Sequence, residues 1–219
     1  MMRLAVVPQR NRPLASARRA ARAIKSLAVA VLLLLPITAA WPQARGQLTL
    51  AQAFDTMKPG QWIRVDGTSQ ISPTGPTIQS YGLKLMTGDI KENAWSIRGT
   101  LRDVDRANRT LKVGSYRIQL VDKPKFSAPV RTIADLKPGM LVKVEGTYQK
   151  GAGFLAGKVN DESDVVSRKP GIENRLRVQG KIERVDPAKR IVTMMGTAFV
   201  VTDHTQVTSV VVEPKTPTK

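Results

Sequence analysis

The side chains able to carry out acid–base or metal chemistry are few in this chain and lie apart. His204 is the only histidine, and it follows a predicted strand at residues 200–202. A metal centre or a serine–histidine pair needs partners that no neighbouring spacing provides. The densest acidic group, Asp161, Glu162 and Asp164, lacks the alternating oxygen ligands and the glycine of a calcium loop. We therefore predict no catalytic residue, no metal site and no cofactor, and favour a non-enzymatic protein.

Positive charge and aromatic rings together define one candidate binding surface. The chain has 35 lysine and arginine residues against 17 aspartate and glutamate residues, a net charge of +18. The candidate ligand-binding residues are Arg98, Arg102, Arg109, Trp62, Tyr116 and Tyr148. Small β-barrels that hold single-stranded nucleic acid or sugars use a basic groove with exposed stacking rings. However, only 5% of the residues are aromatic and the cations are spread along the chain, so basicity as a device for solubility stays an alternative.

The first forty residues have the composition of a secretory signal peptide. Residues 1–26 contain seven cations and no acid, and an apolar run follows at residues 27–37. That run is shorter than the roughly 20 residues of a bilayer span. Small residues at 38–40 predict cleavage before Trp41, and hence a periplasmic or secreted protein; an uncleaved N-terminal anchor is the alternative. The chain has no cysteine, so its stability must come from a packed core.

An internal repeat dominates the rest of the chain. Residues 57–68 recur without a gap at residues 136–147, and residues 95–105 recur at residues 176–186, 81 positions further on. The positions that recur carry apolar residues, glycines and turn formers. The repeat therefore predicts an architecture built from one duplicated unit, and it does not specify a ligand.

Short strands and turns account for the repeated segments. Apolar and polar residues alternate from Gln61 to Thr68, as in a strand with one buried face, and the same holds for the copy at residues 141–147. Short helices are predicted before these strands, at residues 50–57 and 133–137, each ended by Pro-Gly. Gly151 and Gly153 fit a hairpin turn better than a phosphate-binding loop.

The order of the elements predicts an all-β chain of small OB-like five-stranded barrels. Residues 95–162 contain three strands, a short helix and two further strands, and a helix between strands three and four is typical of that barrel. Gly99, Gly146 and Gly180 lie inside strand patterns, where a small barrel needs bends or bulges.

The segments on either side of this unit are incomplete copies. Residues 47–90 contain only the helix and the late strands, whereas residues 175–212 contain only the early strands. We hypothesise that the two pair to form a second, discontinuous barrel; one continuous or elongated sheet is the alternative. Residues 163–174 are predicted to be a linker and residues 213–219 a disordered tail.

Three motifs of the central unit resemble a known family. They are Gly99-Thr-Leu-Arg-Asp-Val-Asp105, Leu136-Lys-Pro-Gly-Met-Leu-Val-Lys-Val-Glu-Gly-Thr147 and Gly153-Phe-Leu-Ala156. In this pattern the chain resembles a bacterial family of exported OB-like domains of unknown function. The resemblance covers the central unit fully and the flanking segments in part. It implies the fold, and it implies no substrate or catalytic residue.

These observations predict an exported, non-enzymatic binding or scaffold protein of the bacterial envelope. A scaffold would use exposed strand edges to contact an envelope protein. The alternative is a protein that binds anionic glycan or single-stranded nucleic acid through a basic barrel face. The sequence does not choose between these partners.

Overall fold

A computed structural model describes residues 46–72 and 75–212 of the chain. The predicted signal peptide at residues 1–40, its cleavage site and the tail at residues 213–219 lie outside the described residues. The strands are β1 (Gln47–Leu48), β2 (Trp62–Ser72), β3 (Gly75–Gly88), β4 (Trp95–Asp105), β5 (Thr110–Val113), β6 (Tyr116–Phe126), β7 (Leu141–Gln149), β8 (Gly153–Asp161), β9 (Leu176–Lys181), β10 (Arg184–Asp186), β11 (Ile191–Met194) and β12 (Thr197–Val212). The helices are α1 (Leu50–Thr56) and α2 (Asp164–Arg168), and neither is long enough to cross a membrane.

Strands β4 to β8 form a closed five-stranded barrel, which we call the central barrel. The strands pair in the order β4–β5–β6–β8–β7, and β7 pairs with β4 to close the ring. Within the central barrel, only the β6–β8 pair is parallel. Side chains at alternate positions fill the interior, and Ile97, Leu101 and Val144 are fully buried. The prediction of a mostly β chain with a closed five-stranded barrel is confirmed.

Two segments between the strands differ from their predicted structure. The helix expected at residues 133–137 is a three-residue 3₁₀ turn, Ile133–Asp135, because Pro138 follows closely and the Asp135 carboxylate holds the Thr132 N–H at 2.9 Å. The predicted linker at residues 163–174 contains α2 and a second 3₁₀ turn, Ile172–Asn174. The Thr100 hydroxyl donates to the Glu173 carbonyl at 2.5 Å, so this segment is held against the central barrel.

The remaining strands apart from the two-residue β1 are β2, β3 and β9 to β12, and we call them the flanking strands. They pair in the order β10–β11–β12–β3–β2–β9, so segments from both ends of the described chain lie side by side. Val65 of β2 is opposite Val178 of β9. The Gly60 N–H donates to the Ile182 carbonyl at 2.8 Å, and the Ile182 N–H donates to the Gln61 carbonyl at 2.9 Å.

A seam between β4 and β9 joins the central barrel to the flanking strands. Ser96, Ile97 and Arg98 are opposite Gln179, Val178 and Arg177, respectively, in antiparallel register. Ile97 and Val178 are fully buried on one face of the seam. Because β4 and β9 are hydrogen-bonded neighbours, all the strands belong to one continuous sheet.

Candidate ligand-binding pocket

Two of the three predicted stacking rings are buried. Trp62 and Tyr116 are each 7% exposed, so the expectation that these rings are exposed for stacking with a ligand is wrong. Trp62 packs against Trp95 at 5.1 Å between ring centroids, and Trp95 packs against Tyr148 at 5.5 Å. The seam brings these large apolar rings together, and burying them stabilises the fold more than exposure would. Tyr148 is half-buried and is the most accessible of the three predicted rings.

The three predicted arginines do not form one surface. Arg98 is largely buried and forms an ion pair with Glu162. Arg109 has a left-handed backbone at φ 54°, and its guanidinium donates to the Asp122 carboxylate at 3.2 Å. Arg102 is exposed and lines a separate, small cavity. Two of the three are therefore engaged by acids of the protein itself, and none lies beside the predicted rings in a shared groove.

Tyr116 and Tyr148 are the two predicted residues that the fold brings into one pocket. The pocket has a volume of about 300 Å³. Its walls come from the start of β6, the turn between β7 and β8, and the turn between β11 and β12. The central barrel thus supplies two walls and the flanking strands the third. The lining residues besides the two tyrosines are Ser115, Arg117, Gly151, Gly153, Phe154, Met195 and Thr197.

Two buried hydroxyls in this pocket have no partner among the described residues. The Tyr116 hydroxyl and the Ser115 Oγ are each shielded from solvent and make no hydrogen bond of ordinary geometry. The Thr197 side chain lies close enough to the Tyr116 hydroxyl to lower its pKa, although the two do not form a hydrogen bond of full geometry. A buried polar group without a partner costs about 1–3 kcal/mol, and most such groups in native proteins have one. Because both oxygens are sealed from solvent, a molecule in the open pocket does not contact them in this conformation.

The charges around the pocket are one acid and one cation. The Glu183 carboxylate accepts from the Gly196 N–H at 3.1 Å and lies beside the Tyr148 hydroxyl. Arg117 lies exposed at the rim. Burial raises the pKa of Tyr116 and of Tyr148 above the ordinary tyrosine value, and the negative charge of Glu183 raises both pKa values further. Both phenols therefore stay protonated at neutral pH and can donate as well as accept.

No sequence motif indicated that Ser115, Arg117, Thr197 and Glu183 lie together at a pocket. One signal was available, because Tyr116 and Thr197 are 81 positions apart and so fall at the same place in the repeat. Using that signal requires knowing that the two copies face each other across the β4–β9 seam. The alternation of apolar residues does not specify this pairing.

The residues first considered for chemistry lie in exposed or structural positions. His204 is exposed in a stretch of β12 where the register with β3 shifts, between Val201 and Gln206. The Asp161 carboxylate accepts from the Ser163 N–H at 2.9 Å. Within the described ranges, no three histidine, aspartate or glutamate side chains are placed to hold one metal ion.

No protein-family model matches this chain, and no match is found among the curated proteins or among the solved structures. The function must therefore be inferred from the chemistry of the pocket. That chemistry is a set of protonated hydroxyls, with one carboxylate and one guanidinium at its margin.

Replacing Tyr116 with phenylalanine is expected to stabilise the protein without ligand by about 1 kcal/mol, because it removes an unpaired buried hydroxyl. It is also expected to flatten the loss of stability in alkali. The pKa of Tyr116 is raised in the folded state, so its contribution is complete below the ordinary tyrosine pKa of 10.0 and is lost as the pH rises above it. Each such group adds a slope of at most about 1.4 kcal/mol per pH unit.

Urea unfolding of both proteins between pH 7 and pH 11, values spanning the ordinary tyrosine pKa of about 10, measures both effects. A phenylalanine variant that is less stable at neutral pH would mean that the hydroxyl has a partner in the folded protein.

Proposed function

We propose that this protein is an exported, non-enzymatic binding protein of the bacterial envelope that holds a small polar ligand in the pocket between the central barrel and the flanking strands. The observation that carries the proposal is the pocket itself, a cavity of about 300 Å³ that has the half-buried Tyr148 and Thr197 and the exposed Arg117 on its walls. A concave site of this size with a few polar groups on its walls is typical of small-molecule binding. Export is supported by the composition of residues 1–40.

We further propose that both parts of the fold are OB-like repeats, in keeping with the family resemblance. Equivalent details support this. Arg109 and Arg190 both have φ 54°, and each forms an ion pair with an aspartate 13 residues later, Asp122 at 3.2 Å and Asp203 at 2.6 Å. In the second unit β9 and β10, only two residues apart, would act as one bent first strand, with β2 and β3 as the late strands.

The register of the seam relates the two units by an approximate two-fold axis. Ile97 and Val178 are 81 positions apart, so they are equivalent in the repeat, and they are also cross-strand partners. Two equivalent residues can face each other in an antiparallel pair only if a two-fold axis passes between them. The same axis makes the turn before Tyr116 approach the turn before Thr197, and the pocket lies between these turns.

Binding of an anionic polymer through the basic face is the competing function. The arginines of that face are already engaged in contacts within the protein, which makes polymer binding the less favoured function. Arg98 is paired with Glu162, and Arg177 is paired with Asp66 at 2.6 Å. Arg64 donates to Gln179 at 2.7 Å. A polyanion would have to compete with these contacts.

Nuclear magnetic resonance of the isotope-labelled protein tests the proposed function. Pools of small envelope metabolites and cell-wall fragments are titrated, and backbone shifts are followed. We expect at least one pool to move residues 115–117, 148–154 and 195–197 together. If every pool leaves these residues unmoved, the proposed function is wrong. N-terminal sequencing of the secreted chain separately tests export, with Trp41 as the expected first residue.

A further inference from the structure

The acidic side of the pocket is built around the Tyr148 hydroxyl. This hydroxyl lies within hydrogen-bonding reach of the Glu183 carboxylate, which also accepts from the Gly196 N–H at 3.1 Å. A Cβ placed on Gly196 would be 3.7 Å from the same hydroxyl oxygen. The phenol, the carboxylate and the turn before β12 therefore meet at one point on the wall of the pocket.

A phenol in this position presents an acceptor to the pocket. A hydroxyl has one proton to donate, and its lone pairs accept. Because the carboxylate of Glu183 attracts the proton of the Tyr148 hydroxyl, the lone pairs are left for a donor on the ligand. The negative charge of Glu183 favours a donor with a positive charge over a neutral one. This side of the pocket therefore fits an ammonium group.

The basic side of the pocket is Arg117, at the start of β6. Its side chain is exposed, and within the described part of the chain no acid forms an ion pair with it. The pKa of Asp105 is lowered chiefly by hydrogen bonds from Asn108 and least by Arg117, so Asp105 is already engaged elsewhere. A guanidinium carries only donors and pairs well with a carboxylate. This side of the pocket therefore fits a carboxylate group.

The two sides border one cavity with room for a small molecule. Its volume of about 300 Å³ is at the lower end of the range for small-molecule sites. Gly151 and Gly153 form a further wall, and nothing lies within 4 Å of a Cβ placed on either of them. That wall leaves space for the side chain of a ligand. A ligand held in this way does not need the sealed oxygens of Ser115 and Tyr116.

We infer that the pocket binds a small zwitterion, a free amino acid or a short peptide, with its ammonium group at the Tyr148 hydroxyl beside Glu183 and its carboxylate at Arg117. This inference rests on the proposed binding function and specifies the ligand class. It follows from one carboxylate and one guanidinium at different walls of one cavity. It differs from polymer binding along a basic face, because a ligand without net charge releases few counterions and its affinity depends little on salt.

The test is a titration of the isotope-labelled secreted protein with alanine, dialanine and trialanine, followed by the same backbone shifts. We expect at least one of them to move residues 115–117 and 195–197, and the tightest of the three distinguishes a free amino acid from a peptide. Its N-acetyl derivative, which lacks the ammonium group, and its amide, which lacks the carboxylate, are then titrated. Each derivative should bind at least about tenfold more weakly, because it leaves one charge of the pocket unpaired.

Two variants assign each charge of the ligand to one side of the pocket. Arg117→Gln should abolish the preference for the parent ligand over its amide and keep the preference over the N-acetyl derivative. Glu183→Gln should do the reverse. Arg102→Gln and Glu92→Gln are the matched controls, since both residues are exposed and lie outside this pocket, and both variants should bind as the unchanged protein does. A purely structural role of Arg117 or Glu183 would weaken all the ligands equally.

The outcomes separate the ligand class from the function. If a mixed pool moves the pocket residues but the zwitterions do not, or if a derivative binds as tightly as its parent, the inference is wrong and the proposed function stands. Equal weakening of all the ligands in both variants also overturns the inference. If neither the zwitterions nor the mixed pools move the pocket residues, both are wrong.

Discussion

Replacing Gly146 with alanine is expected to lower the free energy of unfolding by about 3 kcal/mol or more. Gly146 lies where the register between β7 and β8 shifts, directly after Glu145. A Cβ at this position would be 2.0 Å from the Leu155 carbonyl oxygen and 2.8 Å from the Ala156 Cα. Both neighbours are backbone atoms of a paired strand, so relief requires the strand itself to move. Urea unfolding measures the effect.

Two further glycines make this prediction specific. Gly67 is the equivalent position in β2, where the register with β3 also shifts, and its Cβ would be 2.5 Å from the Gln79 carbonyl oxygen. Gly67→Ala should therefore be destabilising as well. Gly157→Ala in β8 is the matched control, because nothing lies within 4 Å of its added methyl group. Similar stability of the Gly146→Ala and Gly157→Ala variants would contradict the close approach of the β8 backbone to Gly146.

Replacing Gly180 with alanine is expected to lower the free energy of unfolding by about 2–3 kcal/mol. Its Cβ would lie 2.4 Å from the Trp95 ring, which is buried and held between Trp62 and Tyr148. Gly99 is equivalent in the repeat, but its Cβ would meet the Leu176 Cδ1 at 2.8 Å. A leucine methyl group can move aside more easily than an indole ring, so Gly99→Ala should cost less.

A double-mutant cycle tests whether the ring is the cause. Trp95 and Leu176 are themselves equivalent in the repeat, so Trp95→Leu reproduces the surroundings of Gly99 at Gly180. Gly180→Ala should then cost at least about 1 kcal/mol less in the Trp95→Leu background than in the unchanged protein, as expected for residues in contact. Additive losses would show that the clash with Trp95 does not determine the cost.

The sequence predicts the strands well because each strand has one buried face. Val142 and Val144 of β7 are fully buried, as their alternation with Lys143 and Glu145 predicts. Turn chemistry is equally local. The Asp105 carboxylate accepts from the Asn108 N–H at 2.9 Å, within the turn that its position after a strand predicts.

The candidate site was harder to predict because it depends on pairing between distant segments. Nothing near Arg98 in the sequence indicates that Glu162 is its partner. Trp62 is buried because the seam places Trp95 against it, and the register of the seam cannot be read from alternation alone. The pocket follows from the same seam, since Thr197 reaches Tyr116 only when the flanking strands dock on the central barrel.

One measurement tests most directly the pairing of β2 with β9, which joins segments from the two ends of the described chain. Asp66 of β2 and Arg177 of β9 are cross-strand partners joined by an ion pair at 2.6 Å, and the chain contains no cysteine of its own. Opposed residues of antiparallel strands are close enough for a disulfide. The variant with both Asp66→Cys and Arg177→Cys should therefore form an intramolecular disulfide on mild oxidation of the folded monomer.

A pair that the fold keeps apart, Asp66→Cys with Lys112→Cys on β5, serves as the control and should keep its thiols under the same conditions. Titration of free thiols in the oxidised monomer gives the answer. The account predicts complete loss of thiols in the Asp66–Arg177 pair and none in the control. Free thiols in both variants, or a bond only between chains, would contradict the pairing of β2 with β9 within the flanking strands.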